Sequence, residues 1–117
     1  MGKTAIVIDD DYDTVDTFSE LLGEQGISIV GKGYNGKEAI DLYSKHSPDL
    51  VFVDIMMPDG SGFHAIRNIK KINDQAKIIA VTADLKTSTY EKLSSLNVHG
   101  LVYKPFDFEK IMSLVNS

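Results

Sequence analysis

The chain has no cysteine and no tryptophan among its 117 residues, and only three prolines. Without cysteine there is no disulfide framework and no thiol nucleophile, so folding must rest on an apolar core, and the cytoplasm is the expected location. Bases are the next shortage: 12 Lys and Arg stand against 17 Asp and Glu, a formal charge of -5. That deficit argues against a nucleic-acid partner, whose phosphates need clustered cations. No apolar run approaches the roughly 20 residues of a membrane span, and the amino terminus lacks the apolar core of a secretory signal, so no membrane partner is expected. Met1-Gly2 invites a myristoylation signal, but Ile6 stands where that motif wants Ser or Thr. His46, His64 and His99 lack metal-ligand spacing, which places them at the surface and leaves zinc without a site. At this length residues 1–117 should form one domain.

What the chain does have is an abrupt border between apolar and acidic residues. Leu50-Val-Phe-Val runs straight into Asp54, and Pro58, Asp59 and Gly60 then force a turn. A strand buried on both faces looks like this where it emerges into a polar site. Thr4 to Ile8, ending in Asp9, Asp10 and Asp11, repeats the pattern. Val15, Phe18, Leu21 and Leu22 then recur at helical spacing, with Gly23 and Gly26 at the end. Ile27 to Val30 predicts a strand. Asn35-Gly-Lys-Glu38 predicts a capping box, Asn standing in for Ser or Thr, that opens a helix through Ala39, Ile40 and Tyr43, closed by Ser47-Pro48. Phe63, Ile66, Ile69 and Ile72 mark a third helix, and the side chains of Met56 and Met57 are assigned to packing. Lys77 to Val81 predicts a strand ending at Thr82, followed by a weaker helix through Tyr90, Leu93 and Leu96. Leu101 to Tyr103 predicts the fifth strand, ending at Lys104-Pro105, and Asp107 caps a last helix carrying Phe108, Ile111, Leu114 and Val115.

Strands alternating with helices in this way demand an α/β fold: a doubly wound, five-stranded parallel sheet with five helices on its two faces, a three-layer α/β/α sandwich. All strands run the same way, so Asp9, Asp10, Asp54, Thr82 and Lys104 share the carboxyl edge, where open α/β sheets place their chemistry. Three carboxylates brought close repel one another, and a hard dication relieves that cost. Mg²⁺ takes oxygen ligands, keeps several waters, and is usually held by one or two carboxylates plus a phosphate. Lys104 adds three donors and Thr82 a hydroxyl, which suit the oxygens of a tetrahedral anion. A dication, a lysine and a hydroxyl around one Asp point to phosphoryl chemistry, with an aspartyl phosphate as the product.

From Ala5 to Val115 the chain resembles the receiver domain of the two-component response-regulator family. The resemblance is carried by Asp9-Asp10, by the Asp54-Ile-Met-Met-Pro58-Asp-Gly60 pattern, by Thr82-Ala83 and by Lys104-Pro105-Phe106. Each motif alone is weak; together, in this order and spacing, they are specific. The resemblance implies a flavodoxin-like strand order 2-1-3-4-5 and a signalling switch rather than an enzyme, one that catalyses only its own phosphorylation and dephosphorylation. It implies that Asp54 accepts a phosphoryl group from a sensor histidine kinase or a histidine phosphotransfer protein, and that a downstream effector protein reads the result. It further implies that Asp10, Asp54 and the backbone carbonyl of Met56 bind Mg²⁺, with Asp9 acting largely through water. Lys104 and Thr82 would contact the phosphoryl oxygens, with Ala83 beside them in the binding site. Three residues before the lysine the family usually carries an aromatic; here it is Leu101, with Tyr103 on the same sheet face two residues on. A degenerate receiver acting as a constitutive binding module is the alternative that Leu101 leaves open.

One other motif competes. Gly31-Lys-Gly33-Tyr-Asn-Gly36 fits G-x-G-x-x-G after a predicted strand, with Asp54 as the later acid, which is a dinucleotide fingerprint. That assignment leaves Asp9, Asp10, Thr82 and Lys104 unexplained. Gly33 and Gly36 are expected instead to be turn residues at a helix start.

Overall fold

All five residues of the strand Leu50–Asp54 are buried, and the rest of the fold is laid around it. The computed structural model describes residues 2–58, 61–83, 86–104 and 107–117. In chain order its elements are β1 (Thr4–Ile8), α1 (Tyr12–Glu24), β2 (Ser28–Gly33), α2 (Gly36–His46), β3 (Leu50–Asp54), α3 (Ser61–Ile72), β4 (Ile78–Thr82), α4 (Thr87–Ser95), β5 (Gly100–Tyr103) and α5 (Phe108–Val115). The strands form one parallel sheet in the order β2-β1-β3-β4-β5. Asp59-Gly60 and Pro105-Phe106, which belong to the motifs of the sequence, lie outside the described residues.

Alternation along the strands sorts the core into two layers. Ile6, Ile8, Val51, Val53, Ile78 and Ala80 face Ala39 and Tyr43 of α2, Ile66 and Ile69 of α3, and Leu93 of α4. Ala5, Val7, Leu50, Phe52, Ile79 and Val102 face Val15, Phe18 and Leu22 of α1 and Ile111 and Val115 of α5. Strands with an apolar residue on both faces have no solvent side, which is why they read as continuous runs.

The helix borders follow local chemistry. Asn35 Oδ1 accepts from the Glu38 N–H at 2.9 Å. Glu38 Oε1 reaches back to the N–H of Tyr34 at 2.7 Å, one residue before the cap. Asp107 Oδ1 accepts from the Lys110 N–H and caps α5. Ser47 ends α2 in the left-handed region at φ 42°.

Several expectations need correction. β2 runs on to Gly33 instead of stopping at Val30, because Gly31 and Gly33 serve close packing: a Cβ on either would lie 2.7 Å from Leu42 Cδ2 or 2.8 Å from Ile8 Cδ1. Gly36 does stand at a helix start, as the first residue of α2, but it serves close packing rather than a turn, since a Cβ there would run into the carbonyl oxygen of Ser61. Met56 is exposed while Met57 packs, and Tyr90 and Ile72 also face solvent. His99 is half-buried, its Nε2 within 2.8 Å of the Leu114 carbonyl oxygen, so it ties β5 to α5.

The α2–α3 contact gives a test of the packing. Gly36→Ala drives a methyl against backbone, which cannot rotate aside as a side chain can, and should cost about 2–3 kcal/mol. Chemical denaturation should show a lower midpoint at unchanged slope; an unmoved midpoint would mean that the two helices separate freely.

Candidate functional site

Four strand tips deliver the predicted side chains to one place. Asp9 and Asp10 follow β1, Asp54 is the last residue of β3, Thr82 the last of β4, and Lys104 follows β5 directly. Asp9, Asp54 and Thr82 are buried, Asp10 is exposed and Lys104 is partly buried. Carboxylate oxygens of Asp9, Asp10 and Asp54 all lie within 4.8 Å of one another. The Lys104 ammonium bridges two of them, at 2.8 Å from Asp9 Oδ2 and 3.3 Å from Asp54 Oδ2. It is steered there by its own backbone, whose N–H donates to the Thr82 carbonyl at 2.8 Å.

Backbone donors fix the two buried acids. The Asp11 N–H donates to Asp9 Oδ1 and the Met56 N–H to Asp54 Oδ1, each at 2.9 Å. Met56 therefore acts through its backbone while its side chain reaches solvent. Ala83 is exposed on the loop that leaves Thr82. Neither N–H bond was legible in the sequence, although a bend directly after a strand-end Asp is the local signal for one.

The charge balance is strained. Burial, and then the Asp9 charge, push the Asp54 carboxyl above its ordinary range, against the Met56 N–H and Lys104, which pull it down. Asp10, although exposed, is also raised, through partial loss of water around its carboxyl, its hydrogen bond to Asp9 and the Asp9 charge. Burial works against the Lys104 ammonium, but the hydrogen bond to Asp9 and the charges of Asp54 and Asp9 outweigh it and hold its pKa up. One ammonium thus serves three carboxylates. A set of hard oxygen donors short of positive charge fits a divalent cation of the Mg²⁺ type.

A flavodoxin-like parallel sheet whose carboxyl edge carries an acid triad and a lysine defines a class of α/β domain built around a cation-ready pocket. The chain matches the response regulator receiver domain over residues 5–116 and belongs to that family, the receivers of two-component signalling. It is 30% identical over 116 residues to the chemotaxis protein CheY of Bacillus subtilis, covering 99% of this chain and 97% of that one. It is 33% identical over 111 residues to protein CcdB of the same organism, covering 95% and 92%. Among solved structures, the CheX-CheY-BeF3-Mg²⁺ complex from Borrelia burgdorferi superposes with a TM-score of 0.89 at 25% identity, covering 97% of this chain and 86% of that one. Receivers are signalling switches, and this chain gathers Asp9, Asp10 and Asp54 into one acidic pocket.

Proposed function

We propose that residues 1–117 form one cytoplasmic receiver whose Asp54 carboxylate takes a phosphoryl group from a phosphohistidine on a sensor histidine kinase or a histidine phosphotransfer protein. The observation that carries this is the Lys104 ammonium within 3.3 Å of Asp54 and 2.8 Å of Asp9, at the mouth of a three-carboxylate pocket. In the transfer an Asp54 oxygen forms the new bond to phosphorus, the P–N bond breaks, and its electron pair stays on the imidazole, which takes a proton.

The chain's own groups do the positioning. The Met56 N–H holds the carboxylate in one rotamer, and Lys104 passes from Asp54 to the incoming phosphoryl oxygens as charge accumulates there. Thr82 stands at the next strand tip, ready to follow the new anion inward with the loop through Ala83. Asp9, Asp10, Asp54 and the carbonyl of Met56 would hold Mg²⁺, which when bound neutralises the oxygens of the transferring group. The phosphoryl group takes residue 54 from a charge of about -1 to nearly -2, enough to bias the loop after β4 and present an altered surface to an effector. Slow hydrolysis of the aspartyl phosphate by this same pocket resets the switch. Leu101 packs against the α3–α4 side of the core and Tyr103 is exposed, so any partner of Thr82 in the switched state differs from an inward-swinging ring at position 101.

The test is intact mass after incubation with acetyl phosphate and Mg²⁺. One phosphoryl mass should be gained, and the gain should vanish in Asp54→Asn and on removal of Mg²⁺ by a chelator. No gain in the parent protein would favour a constitutive binding module instead.

A further inference from the structure

Open parallel sheets place their chemistry at the carboxyl edge, yet a cleft of about 380 Å³ opens at the amino edge of this one. Lys3 comes just before β1, Asp49 just before β3 and Lys77 just before β4, and Tyr43 and Ser47 reach the cleft from the end of α2. The volume is within the range of small-molecule sites. The strand β3 has five residues, which puts roughly 16 Å between this cleft and the acid pocket.

Tyr43 is the unexpected member. Its ring belongs to the core layer under α2 and α3, and only 3% of the residue is exposed. Packing alone would be served by Phe. The hydroxyl oxygen accepts from Asn73 Nδ2 at 3.2 Å. Asn73 is fixed in that orientation, because its Oδ1 accepts the Gln75 N–H at 3.0 Å. The Tyr43 O–H proton therefore finds no acceptor among the described residues. A buried donor left unused costs stability until an acceptor takes it.

Two ammonium groups line the same cleft. Lys3 Nζ donates to the Val115 carbonyl at 2.6 Å and Lys77 Nζ to the Ser117 carbonyl at 3.1 Å. An ammonium has three donors, so each keeps two for another partner. Both side chains are partly buried, which limits the water that can serve them. The acid at the rim is already engaged: Asp49 Oδ2 accepts the Thr4 N–H at 2.8 Å and the Thr4 hydroxyl at 3.2 Å.

We propose that this cleft binds a small oxyanion of the phosphate or carboxylate class, whose oxygens take the Tyr43 O–H and the spare donors of Lys3 and Lys77, with Ser47 and Gln75 at the rim. Such a ligand is made of acceptors, which is what a buried hydroxyl proton and two ammoniums require. A cationic ligand would meet two like charges. The site is separate from the acid pocket, so it does not depend on the acceptor role of Asp54.

The experiment titrates the protein, at low salt and without Mg²⁺, with inorganic phosphate, with succinate and with chloride, and follows backbone amides by two-dimensional NMR. Phosphate or succinate should shift the amides of Tyr43, Ala76 and Lys77 to a saturating end point while those of Asp10 and Asp54 stay in place. The anion that saturates at the lower concentration identifies the class. Chloride at equal ionic strength should leave all five amides unmoved. Tyr43→Phe keeps the ring in the core and should weaken the tighter anion about tenfold, the worth of one hydrogen bond to a charged group. Lys3→Met/Lys77→Met should abolish saturation; should that variant unfold, Tyr43→Phe decides alone. Saturation by neither anion, shifts confined to the acid pocket, or parental affinity in Tyr43→Phe overturns the proposal.

Discussion

Asp54→Asn should make the metal-free protein melt at a higher temperature at pH 7 and at an unchanged temperature near pH 3.5. The Asp54 carboxyl is held above its ordinary value, first by burial and then by Asp9. The unfolded chain therefore releases this proton at a lower pH than the folded protein does. Between the ordinary value, about 3.9, and the raised one, the folded state binds more protons, so stability falls as pH rises through that window. Above the window the ionised Asp54 is a standing cost, and a neutral amide of the same shape removes it. Each unit of pKa elevation corresponds to about 1.4 kcal/mol, and about 1 kcal/mol moves the transition of a domain this size by about 4 °C. Added Mg²⁺ should raise the melting temperature of the parent by binding only the folded form, and the same addition should do little for the Asn variant. Thermal scans at pH 7 with and without Mg²⁺ check both. A variant that melts lower than the parent at pH 7 would mean that Asp54 is satisfied by Lys104 and the Met56 N–H and stores no cost.

Lys104→Met should separate metal binding from phosphoryl chemistry, moving them in opposite directions. The ammonium lies against Asp9 and Asp54, two of the three acids in the pocket, so it competes with a dication for their charge. Two unit charges about 4 Å apart interact by about 4 kcal/mol at an effective dielectric constant of 20, and by less where water screens them. Without the lysine, Mg²⁺ should bind about tenfold more tightly by calorimetry. Acetyl phosphate labelling should nonetheless slow by about 100-fold or more, because the donor that meets the developing charge on the phosphoryl oxygens is gone. The metal-free variant should also be less stable at neutral pH. The Lys104 pKa is raised in the folded state by Asp9 and Asp54 despite its burial, so its stabilising contribution is present below the ordinary lysine value and is lost as pH rises through the raised one. Labelling at the parental rate would place Lys104 outside the chemistry. Weaker Mg²⁺ binding would mean that the lysine organises the carboxylates more than it competes for them.

The elements were legible where hydrophobic runs met charge. β1, read as Thr4 to Ile8, has those bounds in the structure, and β3 carries the predicted Leu50-to-Asp54 border. The second strand was cut short because glycine normally breaks a strand pattern, whereas Gly31 and Gly33 here make room for Leu42 and Ile8. Tyr90 looked like the inward side of α4, but only Leu93 of that helix is buried. The ring of Phe63 takes the Lys92 ammonium at 4.0 Å, and a polar contact of that kind has no periodicity to read. In the site, residue types and strand-end positions nominated Asp9, Asp10, Asp54, Thr82 and Lys104. Their contacts were not nominated: that Lys104 lies closer to Asp9 than to Asp54 and that the Met56 N–H pins Asp54 are facts of tertiary geometry.

By itself the sequence determined that strands and helices alternate, that the strands lie parallel and that four of them end in chemistry-bearing residues, because each follows from local periodicity and from the crossovers such alternation requires. Tertiary structure alone decided which carboxylate meets the lysine and which acids lose their water. Those outcomes depend on register between strands far apart in the chain and on distances of a few ångströms, to which pattern along one dimension is blind.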